Sequence, residues 1–139
     1  MSRYVTRERV HIDRIATAWA IRRFVDPQAT FSFVGRERDP ASLDGTPFDM
    51  RGSELSHRGD KVTFEVLLEK HGLADAAISR MAAIVHAVDT QEDGVPEASG
   101  VRAVFDGIRD GVANDDERIR AGFAVCDALY AYCGGASPG

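Results

Sequence analysis

Between Val10 and Val25 the chain reads VHIDRIATAWAIRRFV, and at ~100° per residue this stretch has no polar face. Ile12, Ala16 and Ala20 cover one arc, Ile15 and Trp19 the next, and Ile21, Phe24 and Val25 the back. A helix apolar nearly all round belongs inside a fold. Its charges therefore need partners. Asp13 projects between Ala20 and Phe24, Arg23 between Ile12 and Ala16, and Arg22 beside Ile15. Leaving such a group buried and unpaired costs on the order of several kcal/mol, so the pattern implies internal ion pairs or a binding site.

The remaining elements follow from period and punctuation. Tyr4 to Arg9 reads as an extended or irregular entry to the first helix. That helix ends near Asp26, because a residue before proline avoids the α region. Thr30 to Val34 alternates Phe31 and Phe33 with polar neighbours, as a half-buried strand does. Arg36 to Gly45 is a loop with room for a helical turn, and Pro47 to Met50 a second short strand carrying Phe48 inward. Thr63 is placed to cap a helix running to Lys70, closed by Gly72 in a left-handed conformation. Asp75 caps the next, with Ile78, Met81, Ala82, Val85 and Val88 on one face. Val101, Val104, Phe105 and Ile108 mark a helix ending near Gly111. Asn114 opens the last, which turns Ile119, Phe123, Cys126, Tyr130 and Cys133 inward. The expected fold is mainly α with a small β-sheet or hairpin (α+β), a single compact domain of about five helices over residues 1–139, with 134–139 as a flexible tail.

Composition narrows the function. A formal net charge of −5 argues against nonspecific nucleic-acid binding. Basic residues slightly outnumber acidic ones through Lys61, so any anion-binding surface should come from the first half. There is no signal-like apolar segment and no run long enough to cross a bilayer, which predicts a soluble, cytoplasmic chain without membrane association. Cys126 and Cys133 lie ~10 Å apart along one helix, too far for a disulfide, and read as buried thiols. Neither standard glycine-rich phosphate loop is present, nor a GxSxG elbow, nor CxxC, so no nucleotide cofactor is expected.

Two spaced pairs carry the candidate chemistry: Glu54-x-x-His57 and His86-x-x-Asp89. On a helix this spacing places both side chains on one side of a turn. Asp89 falls on the same arc as Ile78, Ala82 and Val85, so a carboxylate is expected on the core face. If the pairs converge with Asp13, imidazoles and carboxylates form a ligand set for zinc, manganese or iron. The alternative is structural: histidines bonded to backbone carbonyls, and Asp89 paired with Arg22 or Arg23. Asp49 and Asp60 flank the His57 segment as supporting groups or turn caps. His11 and His71 read as surface histidines, Trp19 and Tyr130 as core.

The stretch VTRERVHIDRIATAWAIRRFVDP, followed by TPFDMRGSELSHRGDKVTFE, IVHAVDT and DALYAYC, resembles the C-terminal domain of the chromate-resistance ChrB family over most of the chain. The sequence departs from that pattern at Thr17 and Ala18, where the family has Cys-Pro; without proline the helix can run straight through. The resemblance implies a role in chromate resistance and chromate-responsive regulation. Longer family members carry an N-terminal domain resembling a winged helix, for which 139 residues leave no room, so direct nucleic-acid binding is not expected of this chain. Resemblance and residue reading together nominate Asp13, Glu54, His57, His86 and Asp89 as metal ligands. They nominate Arg7, Arg14, Arg22, Arg23 and Arg58 as partners for an oxyanion such as chromate, since guanidinium donors match tetrahedral dianions. Three functions compete: a metal-binding, oxyanion-responsive sensor or stress-resistance accessory; a small metal-dependent hydrolytic or redox enzyme; and an interaction domain with structural ion pairs.

Overall fold

The computed structural model describes residues 2–136. The chain enters as a strand, β1 (Arg3–Arg7), and turns into α1 (Ile12–Ala20), which continues through a π-helical turn at Ile21–Val25. β2 (Thr30–Val34) follows, then a 3-10 turn at Pro40–Ser42 and the two-residue β3 (Thr46–Pro47). Four helices complete the order: α2 (Thr63–Lys70), α3 (Ala76–Thr90), α4 (Ala98–Gly111) and α5 (Asp115–Tyr132). Five α-helices and a small parallel sheet make this an α+β domain. The sheet order is β2-β1-β3, with β1 pairing β2 from Arg3↔Thr30 to Arg7↔Val34. Of the two readings of the entry segment, the extended one holds: it is the central strand of the sheet. Parallel neighbours need a crossover, and α1 supplies it between β1 and β2.

The all-round apolar pattern of α1 is explained by its position. Ile12, Ile15, Ala16, Ala18 and Ala20 are fully buried and Trp19 is 2% exposed, with α2, α3 and α5 packed around the helix. Gly122 of α5 lies against Ile15, and a Cβ there would collide with the Ile15 side chain. The π turn closes with Asp26 N–H donating to Ile21 C=O at 2.8 Å. Both arginines on this turn find partners. The Arg22 guanidinium lies over Phe31 and Phe123 and donates to the Ala29 carbonyl at 2.8 Å. Arg23 stacks on Tyr130, 4.8 Å from the ring centre, and reaches Asp127 at 3.2 Å.

Several caps are as the sequence indicates. Asp75 accepts from Ile78 N–H, Asn114 accepts from Glu117 N–H, and Gly72 adopts a φ of +64°. Three details differ. Val104, expected inward, is 47% exposed, and Phe123 is half-buried against the core. Thr63 does not cap α2; it is the first residue of that helix, and a residue from α1 caps it. Cys126 and Cys133 are free and buried. Among the described residues no helix is long and apolar enough to cross a membrane. The tail expectation falls partly on 137–139, outside the described residues.

Candidate metal centre

The α2 N-terminus begins after Val62, whose side chain has no acceptor for the first helical N–H groups. Asp13, reaching over from α1, supplies it: Oδ2 accepts from Thr63 N–H at 3.1 Å and Oδ1 from Phe64 N–H at 2.9 Å. A carboxylate at this point meets the positive end of the helix dipole. It is nevertheless 3% exposed, and it is not alone. The Thr17 hydroxyl, one turn along α1, bonds back to the Asp13 carbonyl at 2.7 Å and fixes this part of the helix.

Around Asp13 stand one imidazole and two more carboxylates. His57 Nε2 lies 3.7 Å from Asp13 Oδ2 and 3.0 Å from Asp89 Oδ2, while its Nδ1 lies 3.2 Å from Asp49 Oδ1. Asp49 is held by three neighbours. It accepts from the Thr63 hydroxyl at 2.8 Å, its N–H donates to Leu55 C=O at 2.7 Å, and Arg14 Nε lies 3.0 Å from its Oδ2. The last is an ion pair rather than a linear hydrogen bond, because this buried Nε–H is not aimed at the oxygen. Asp49 takes a left-handed φ of +49°, a conformation aspartate tolerates better than most residues. Asp13, Asp49 and His57 each offer one ligand atom, and the three atoms lie within 4.8 Å of one another.

Crowding sets the protonation. Burial first, then the charges of Asp49 and Asp89, push the Asp13 carboxyl up to about 7. The hydrogen bond to Asp49 is the main cause lifting His57 to about 9, with Asp89 adding to it. The metal-free cluster therefore carries a proton on the imidazole at neutral pH. Such a group of acids around one base can hold a cation, bind protons or both.

The sequence-nominated residues divide clearly. Asp13, His57 and Asp89 come together; Glu54 and His86 do not join them. Glu54 is exposed and lines a separate cavity with Arg58 and Glu69. The segment between β3 and α2 is not helical, being pinned by bridges Phe48↔Leu55 and Arg58↔Lys61, so a spacing of three does not align its side chains. His86 is bound on both nitrogens, by Glu65 at 2.5 Å and Glu92 at 2.8 Å. Asp89, expected on the core face, sits near the end of α3 with its side chain 27% exposed. Asp49 is the residue that sequence reasoning undervalued; a helical spacing rule cannot find a ligand in a turn. Of the arginines, only Arg14 touches the cluster. Arg7 donates to Gly35 and Arg38 carbonyls, Arg58 pairs with Glu69, and Arg22 and Arg23 are committed to the contacts above.

The family described as ChrB, C-terminal domain, matches residues 4–133. A curated relative, Protein ChrB of Cupriavidus metallidurans, is 40% identical over 130 residues, covering 93% of this chain and 40% of that protein. The chain thus spans well under half the length of that relative. No solved structure matches.

Proposed function

This chain belongs to the ChrB C-terminal-domain family, and from that premise we propose that it serves chromate resistance as a metal-binding, oxyanion-responsive domain. Asp13, Asp49 and His57 would hold a divalent ion, with Asp89, 3.0 Å from His57 Nε2, helping to set the orientation of the imidazole. The observation carrying this reading is the meeting of these three ligand atoms within 4.8 Å around a buried carboxylate. Among the described residues the three acids face only His57 and Arg14 as cations, and a divalent ion in place of the imidazole proton would offset the excess. Two carboxylates and one imidazole suit manganese, iron(II) or zinc better than soft copper(I).

A bound ion supplies a Lewis acid or a fixed positive charge at the α1–α2 junction. The protein's own contribution is placement. The α2 N–H groups hold Asp13, Thr63 and Arg14 hold Asp49, and Asp89 holds His57. The test is complementation. In a chromate-sensitive host, wild type should restore growth on chromate and His57→Ala should not, at equal soluble protein. Equal protection by both would refute the reading.

A further inference from the structure

We propose that the cavity between the β1–α1 turn and the end of α4 is an anion subsite for a tetrahedral dianion. It measures about 340 Å³ and is lined by Arg9, His11, Arg14, Arg36 and Arg109, with Glu8 as its acid. The lining itself carries four guanidiniums against one carboxylate, in a chain whose net charge is −5. The arginines come from separate elements: Arg9 and Arg14 flank the start of α1, Arg36 follows β2, and Arg109 closes α4.

The acids that pair these groups approach from outside the lining. Asp110 lies 3.4 Å from Arg9 and 2.9 Å from Arg109, and Asp106 lies 2.8 Å from His11 and 3.8 Å from Arg109. Arg14 is paired with Asp49. Each guanidinium has five donors, so one or two contacts leave others for a ligand, and the pairs of Arg9 and Arg109 with Asp110 lie at the surface, where such pairs hold weakly. Arg36 has no side-chain hydrogen bond or ion pair among the described residues and is exposed. Planar forks converging from several sides fit an anion with oxygens in several directions, such as sulfate, phosphate or a terminal phosphate group.

Arg14 belongs to both places: it lines this cavity and lies 3.0 Å from Asp49 Oδ2. An anion drawing on Arg14 therefore competes with Asp49. The subsite gives the oxyanion of the proposed function a place in the fold and rests on that part of the reading; the coupling through Arg14 rests also on the metal centre.

Calorimetric titration of metal-free protein in low-chloride buffer, with sodium sulfate, inorganic phosphate and phenyl phosphate in separate arms, tests the proposal. Saturable binding is expected, weakened about tenfold or more by Arg36→Ala and by Arg109→Ala, as befits loss of a charge-assisted contact. Arg120→Ala, on another face, should leave it unchanged. Comparing the phosphate and phenyl phosphate arms tells a free oxyanion from a monoester. No binding in any arm, or equal binding by wild type and both variants, would overturn the subsite. His57→Ala separates the two readings, since it should lose metal yet bind sulfate or phosphate as wild type does. Loss of anion binding in that variant, with its fold intact by circular dichroism, would contradict an independent subsite.

Discussion

Asp13→Asn should stabilise the metal-free protein at pH 8. The wild-type carboxyl is lifted from its ordinary value of 3.8 to about 7 by burial and by Asp49 and Asp89. Three pKa units correspond to about 4 kcal/mol of penalty on the ionised form. Asparagine removes that charge and keeps its oxygen for one of the two capped N–H groups, stranding the other at about 1–3 kcal/mol. The difference is a net gain of about 1–3 kcal/mol. The sign follows from linkage: a group whose folded pKa is raised stabilises fully below its unfolded pKa and loses that contribution as pH rises through the folded value. The advantage of asparagine should therefore be small or reversed near pH 4 and grow toward pH 8. Urea unfolding with chelator at both pH values, followed by the fluorescence of the single, buried Trp19, measures it. Destabilisation by more than about 1 kcal/mol at pH 8, or a pH-independent difference, would refute the reasoning.

Other outcomes follow from single contacts. His86 is raised by its hydrogen bond to Glu65 and by Glu92. Its contribution should be complete below its ordinary pKa of 6.5 and disappear as pH rises through the raised value, so the stability gap between wild type and His86→Gln should close in alkali. A constant gap would contradict this. Gly122→Ala forces a methyl group into Ile15 and should cost about 2 kcal/mol or more in denaturant unfolding; an unchanged midpoint would mean that α1 and α5 are not in this contact. Cys126 is fully buried, and burial pushes its thiol far up, so a thiol reagent should modify it only on unfolding. Rapid labelling in the native state would show the last helix packed differently.

How much of this the sequence disclosed depends on whether local periodicity governed the residue. Helix α1 was legible because sixteen residues without a polar face have few places to go but the core, and Asp13 was conspicuous for the same reason. Asp89 was found through helical phase, though its place is at the edge of the core. Glu54 was misjudged because the turns before α2 do not obey helical spacing. Asp49 was undervalued because its role depends on a left-handed backbone and on Thr63 and Arg14, which are distant in sequence. The capping of α2 by Asp13 spans fifty residues and has no local signature. The arginines nominated from their clustering along the chain are mostly spent on carbonyls and aromatic faces. Arg9, Arg36 and Arg109 converge only through the tertiary fold.

Equilibrium dialysis of chelator-stripped protein, prepared without a metal column, against manganese(II) and zinc(II) tests the metal centre most directly. The account predicts one ion per chain, with affinity rising with pH as the His57 proton is displaced, and loss of that ion in His57→Ala and Asp49→Asn. Absence of stoichiometric metal from the folded wild type, or equal metal retained by both variants, would contradict it.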